Sequence, residues 1–257
     1  VLSIGINLSQ IKECNFSCEY CQVDRRKALL KDRKIDLNIL MKELEDLTKL
    51  AVSKELFLID HFKNAPERFK ILKDISFSGD GESTASPYFK DCAGRVIDFI
   101  QKKKSEGIEI KPIVITNATM LHKTSVADIL KKMNTMGGGP WVKLDSGNEK
   151  EFQKISETDF PLQKILDNII LFSKSNPVIL QTILYKYSNE KLSFSLNDYI
   201  NCINDMKSKS AQFKHIQLYT LARETKIREL MGVSEELLKE KANLISHKTG
   251  VDVKIYP

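Results

Sequence analysis

The chain has 257 residues, 42% hydrophobic and 29% charged, with 40 basic against 34 acidic side chains and a formal net charge of +6. That is enough apolar material for one large α/β domain spanning 1–257. There is no run of about 18 apolar residues for a transmembrane helix, and no basic segment precedes the first apolar run as in a signal peptide. The start at Val1, without an initiator Met, is expected to be processed or trimmed. Five cysteines, three of them clustered, suit a reducing cytoplasm. Lys102-Lys103-Lys104 and Lys131-Lys132 fall on predicted helices and read as solvated faces rather than as a nucleic-acid patch.

Residues 3–8 (SIGINL) read as a buried strand leading into Cys14-Asn15-Phe16-Ser17-Cys18-Glu19-Tyr20-Cys21. Charged surface stretches follow at 24–27 and 31–34. Asp36 is placed to cap a helix with Leu37, Leu40, Met41, Leu44 and Leu47 on one face. Residues 52–73, with Leu56, Phe57, Ile59 and Phe62, suggest a helical insertion broken or restarted at Pro66. A strand at 75–78 runs into Gly79-Asp80-Gly81-Glu82, and a helix over 89–104 follows. Then come a strand at 111–116 ending at Asn117, a helix over 125–133, a turn at 137–140 and a strand at 141–145. A helix over 162–173, a strand at 178–185, a helix over 196–208, a strand at 215–221, a helix from Ser234 to about 247 and a strand at 251–256 complete the chain. Six βα units with nearly continuous Ile/Val/Leu strands predict a parallel sheet with right-handed crossovers. The pattern alone does not choose between an open doubly wound sheet and a barrel.

The cysteine triad is the most chemical feature. Three thiolates on one tight loop can hold three irons of a 4Fe–4S cube, and the lack of a fourth local cysteine leaves one iron open to a ligand. A structural zinc site would need a fourth ligand, and no nearby His or Cys supplies it. A disulfide suits small secreted chains, and chance clustering is the plain alternative. Cys92 and Cys202 fall in predicted helices and read as small buried hydrophobes.

In a parallel βα barrel, reactive groups gather where strands end. Gly79 and Gly81 would let backbone approach a ligand, and Glu82 would accept from an ammonium, unless this is an ordinary Gly-rich turn. Thr116 and Asn117 suit either a helix cap or ligand contact. Lys143 and Asp145 bracket Leu144, so alternation points both to one side, either as a structural pair or into a polar interior. Interior contact is the preferred reading, and Gln181 follows the same logic. Thr220 and Arg223 close the last such strand end.

The loop Cys14-x-x-x-Cys18-x-Tyr20-Cys21 resembles the cluster loop of the radical S-adenosylmethionine (SAM) enzymes. The resemblance implies a partial (βα)6 TIM-like barrel, a 4Fe–4S cluster on Cys14, Cys18 and Cys21, and SAM chelated at the open iron. It implies reductive cleavage of SAM to methionine and a 5′-deoxyadenosyl radical, with an external one-electron donor of flavodoxin or ferredoxin type. It places Tyr20 near the adenine and Gly79-Asp80-Gly81-Glu82 at the SAM amino group. It gives Thr116, Asn117, Lys143, Asp145, Gln181, Thr220 and Arg223 as candidate SAM or substrate contacts. FSGDGES, ITNAT, KLDSG and QLYTLAR together resemble the branch containing the wyosine-type tRNA-modifying synthases, though the extra upstream cysteines of those enzymes are not seen here. The implied substrate is a tRNA nucleoside, with a peptide or small metabolite as the alternative, and an iron–sulfur carrier or sensor as the non-enzymatic one.

Overall fold

The computed structural model describes residues 2–9, 12, 14–23, 34–223, 225, 227 and 229–257. The charged stretches expected at 24–27 and 31–33 lie outside them. The chain divides into two compact units. Val1–Glu13, Arg25–Ile115 and Asp128–Pro140 form the first, and Cys14–Asp24, Thr116–Ala127 and Trp141–Pro257 the second.

In the first unit, β1 (Leu2–Ile6), β2 (Leu72–Phe77) and β3 (Lys111–Thr116) are parallel, with β2 in the middle. A central strand buries both faces, and Ile75, Ser76 and Phe77 are all buried. Helix α2 (Phe89–Ser105) places Cys92, Val96 and Ile100 on one buried face at four-residue spacing. Phe89 meets Phe77 edge-on, with ring centroids 5.6 Å apart.

Helix α1 (Leu37–Val52) begins where Asp36 was expected to cap it, the carboxylate accepting from the Asn38 and Ile39 amides at 2.8 and 3.2 Å. Its buried stripe differs from the expected one. Leu44, Thr48 and Ala51 are buried while Leu47 is 43% exposed. Small Thr48 and Ala51 present the side that packs closely.

Residues 52–73 form two single 3-10 turns, Glu55–Leu58 and Glu67–Phe69, rather than a helical insertion. Lys54 in the left-handed region ends α1's path, and Pro66 precedes the second turn. Lys103 also departs from expectation. It is buried, lies 5.4 Å from the Phe99 ring and pairs with Glu106 at 2.8 Å, because its long apolar stem can pack while its head finds a carboxylate.

Strand β4 (Gly139–Lys143) starts inside the expected turn and ends before Asp145. At Gly138 a Cβ would lie 1.9 Å from the Pro112 carbonyl oxygen, so only glycine allows that approach. Helix α3 (Thr124–Thr135) precedes this strand.

The second unit carries β4, β5 (Val178–Ile183), β7 (Phe213–Tyr219) and β9 (Val253–Tyr256), parallel and paired in that order. Helices α5 (Leu162–Ser173), α6 (Leu196–Ser208) and α7 (Glu235–Thr249) match the expected ones within a few residues. Ser195 and Ser234 cap α6 and α7 through their hydroxyls.

Two features escape the sequence pattern. One is α4 (Glu149–Ser156), capped by Asn148. The other is a two-stranded antiparallel ribbon of β6 (Tyr185–Tyr187) and β8 (Leu230–Gly232). The strand expected at 178–185 therefore breaks after Ile183. Among the described residues, no helix is long and apolar enough to cross a membrane.

Cys92 and Cys202 are buried among apolar side chains, as expected. Burial pushes both thiols up to about 12 from an ordinary value of 9.0. The folded chain thus keeps protons that the unfolded chain releases above about pH 9. This stability is complete below about pH 9 and is lost as pH rises toward about 12. The anaerobic urea midpoint is expected to fall on going from about pH 8.5 to about pH 11, with less change in the Cys92→Ala/Cys202→Ala chain. An identical pH profile for the two chains would refute this assignment.

Candidate functional site

The cysteine loop is seated by backbone. The amides of Ser17 and Glu19 donate to the carbonyls of Ser156 and Ile155 at 3.0 and 2.9 Å. These carbonyls lie in the last turn of α4, where no helical partner is available, so the loop satisfies the helix end. Phe16 packs edge-on against Phe152 of the same helix at 5.7 Å. Within the loop, the Cys21 amide donates to the Cys18 carbonyl at 2.8 Å.

Asn15 ties the loop to the turn after β3. The Asn117 side chain donates to Asn15 Oδ1 at 2.6 Å, and Asn15 Nδ2 donates to Thr119 Oγ1 at 2.7 Å. Asn117 Oδ1 also accepts from the amide and hydroxyl of Thr119, while Thr116 Oγ1 accepts from the Ala118 amide at 3.1 Å. Asn168 of α5 donates to the carbonyls of Ala118 and Thr119, holding the turn from below. Thr116 and Asn117 thus shape and brace the turn that carries the cysteine loop.

Behind the loop lies a buried polar group. Tyr20 donates to Asp145 Oδ2 at 2.5 Å, and the Ile183 amide donates to Oδ1 at 3.0 Å. Lys143 Nζ stands 3.4 Å from Asp145 Oδ2 and donates to the Tyr219 hydroxyl. It also sits over the rings of Tyr20 and Tyr219 at 4.8 and 4.7 Å. Lys143 and Asp145 do share a side, as alternation predicts, and they pair with each other. Burial opposes the Lys143 charge, but Asp145 and Tyr219 outweigh it and raise its pKa. Burial, with Asp145 second, pushes the Cys18 thiol up to about 12.

Glu19, between two of the expected site residues, is buried. Its Oε1 accepts from the hydroxyls of Tyr185 and Tyr187, the latter at 2.5 Å. Strand alternation on β6 sends both tyrosines to one face, which is how one carboxylate receives both.

In the first unit, Gly79-Asp80-Gly81-Glu82 follows β2. A Cβ on Gly79 would lie 2.6 Å from Asn7 Oδ1, so the close approach that glycine permits here is to a side chain of the same unit. Asn7 Oδ1 accepts from the amides of Ser9 and Asp80, and its Nδ2 donates to Asp80 Oδ2 at 3.3 Å. Glu82 is buried, and its Oε1 accepts from the Thr84 amide and hydroxyl at 3.1 and 2.5 Å, capping the short turn Ser83–Ala85.

Gln181 donates to Gln217 at 3.2 Å, within a row running in register from Lys143 through Gln181 and Gln217 to Lys254. Thr220 is buried and accepts from the Val233 amide at 2.8 Å, tying the strand end to the segment after β8. Arg223 is exposed.

Cys14, Cys18 and Cys21 are half-buried thiols outside any disulfide. A cube places each thiolate on a different iron, so its ligands need not converge. The donor set fits an iron–sulfur cluster, with Lys143 as a half-buried cation near Cys18.

No family model matches the chain. Among curated proteins it is 22% identical over 260 residues to "GTPase Obg" of Brachyspira hyodysenteriae, covering 98% of this chain and 33% of that protein. It is 26% identical over 203 residues to "UPF0026 protein MJ1312" of Methanocaldococcus jannaschii, covering 74% of this chain and 53% of that one. The chain thus spans about a third and about half of these relatives. Among solved structures, HydG, a maturase of the [FeFe]-hydrogenase, superposes with a TM-score of 0.61 at 16% identity, covering 99% of this chain and 51% of HydG. The chain shares the fold of HydG over that span. Archaeal TYW1 superposes with a TM-score of 0.49 at 13% identity, over 88% of this chain and 68% of that one. The parallel βα arrangement that the cysteine-loop resemblance implied is the fold shared with HydG.

Asn7, Asn15, Glu19, Thr119, Tyr185, Tyr187 and Tyr219 were not singled out by sequence. Tyr185-x-Tyr187 was readable as a one-faced aromatic pair. Asn15, Glu19 and Tyr219 carry no local signal, because their partners lie far along the chain.

Proposed function

We propose that this chain is a radical SAM enzyme acting on a tRNA nucleoside. The supporting observation is the set of three thiols on a loop fixed by α4, Asn117 and Thr119, in a chain that shares the fold of HydG. Cys14, Cys18 and Cys21 would hold the 4Fe–4S cluster. When bound, the cluster and SAM supply reductive cleavage to methionine and a 5′-deoxyadenosyl radical that abstracts hydrogen from substrate, the electron coming from a flavodoxin- or ferredoxin-type donor. Lys143 would offset thiolate charge near Cys18, and Tyr20 would wall the loop. Gly79-Asp80-Gly81-Glu82 would meet the SAM amino group, with Gln181, Thr220 and Arg223 as further candidate contacts. The tRNA assignment draws on the likeness to the wyosine-type branch.

The test is anaerobic reconstitution, dithionite reduction with SAM, and assay of 5′-deoxyadenosine with and without bulk tRNA. Product is expected from the native chain, together with modified nucleoside in digested tRNA. Cys14→Ala, Cys18→Ala and Cys21→Ala are each expected to lose cluster assembly. Full iron content in Cys18→Ala would overturn the ligand assignment. A reducible cluster whose EPR spectrum ignores SAM would establish a carrier or sensor instead.

A further inference from the structure

The second unit has a concavity of about 510 Å³ at the N-terminal half of α4, lined by Asn148, Lys150, Glu151, Lys154, Tyr187, Lys191 and Ser193. Three of the seven side chains are lysines. Lys154 Nζ rests 3.7 Å from the centroid of the Tyr187 ring, while Lys150 and Lys191 are exposed and pair with no described carboxylate. Neighbouring carboxylates are otherwise engaged. Glu151 accepts from the Ser195 amide through both oxygens, at 3.0 and 2.9 Å. Glu149 accepts from the Leu162 amide and from Gln153. Glu190 pairs with Lys186 at 2.6 Å, outside the concavity. The pocket is therefore locally cationic, with three lysines against one lining carboxylate.

The pocket also shares parts with the cysteine loop. Tyr187 forms its wall and donates to Glu19, which lies between Cys18 and Tyr20. Helix α4 supplies Lys150, Glu151 and Lys154, and its next two residues, Ile155 and Ser156, receive the Glu19 and Ser17 amides. A group bound here would be held beside that loop.

We propose that this concavity and its rim bind consecutive backbone phosphates of RNA, with Lys150, Lys154 and Lys191 each contacting one of them and Ser193 in the lining. Lysine is a strongly hydrated point charge suited to a phosphate oxygen without base selection. The inference rests on the proposed enzymatic reading only for the idea that the RNA is a substrate. Binding itself is measurable without SAM.

The experiment is fluorescence anisotropy of a labelled tRNA transcript with anaerobically reconstituted chain across a KCl series, with no SAM present. Loss of three phosphate contacts removes about 0.7–0.9 from the salt slope for each. The K150Q/K154Q/K191Q chain is thus expected to bind at least ~10-fold more weakly at low salt, with a slope shallower by about 2, and its iron content and urea midpoint are expected to match the native chain. The K150R/K154R/K191R chain keeps the charges and is expected to keep both affinity and slope. Equal RNA binding by the glutamine variant and the native chain overturns the proposal. Native chain that retains AMP but not RNA also overturns it, in favour of a small phosphorylated ligand. RNA binding lost in the glutamine variant of a chain that fails to cleave SAM would uphold the pocket and sink the enzymatic reading alone.

Discussion

Asp145→Ala is expected to lower the unfolding free energy of the metal-free chain by about 3 kcal/mol, the lower end for breaking a buried pair, because it strands an ammonium that is only partly exposed. Asp145 is 5% exposed and has three partners, namely Tyr20, the Ile183 amide and Lys143. Removing it leaves Lys143 with only phenol oxygen and ring faces for company. The double variant Lys143→Met/Asp145→Leu removes both charges and should recover much of that loss, since apolar replacement of a buried pair is often close to neutral. Anaerobic urea unfolding of the two chains decides the matter. If the single and double variants were equally destabilised, the charge argument would fail, and lost packing would account for both.

Glu19→Ala should cost about 2–6 kcal/mol, the sum of one buried and one half-buried hydroxyl left without an acceptor at about 1–3 kcal/mol each. The same change frees the centre of the cysteine loop from β6. Iron bound per chain after anaerobic reconstitution is therefore expected to fall together with stability. Glu19→Gln keeps an acceptor oxygen for Tyr185 and Tyr187 and should retain most of both. A Glu19→Ala chain that loses stability yet loads iron normally would mean that the ribbon supports the fold without orienting the loop.

What could be read in advance followed the range of the interactions. Helices α2 and α6 were legible because apolar spacing and their own side chains define them. Asp36, Ser195 and Ser234 were equally local, each cap lying two or three residues from the amide it serves. Helix α4 was not legible. It has eight residues, and its principal anchors are the loop amides more than a hundred residues earlier. The β6–β8 ribbon joins segments some forty residues apart and has no turn signal of its own. At the candidate site, residue types picked out polar positions but not their partners. Thr116, Asn117, Glu82 and Thr220 all turned out to hold backbone amides or neighbouring turns. Alternation did place Lys143 and Asp145 together, because a two-residue period is a property of the strand itself.

The row of Lys143, Gln181, Gln217 and Lys254 fixes how the strands of the second unit can line up. These residues sit side by side on four neighbouring strands, one polar stripe crossing an otherwise Ile/Val/Leu sheet. Purely aliphatic strands of this kind could slide with little loss, since one branched side chain resembles the next. Here a slip by a single residue would carry a lysine or glutamine to the opposite surface, beside buried Leu180 and Leu218. The stripe therefore acts as a registration mark during assembly. Misaligned pairings are penalised at every strand boundary it crosses, well before any ligand arrives.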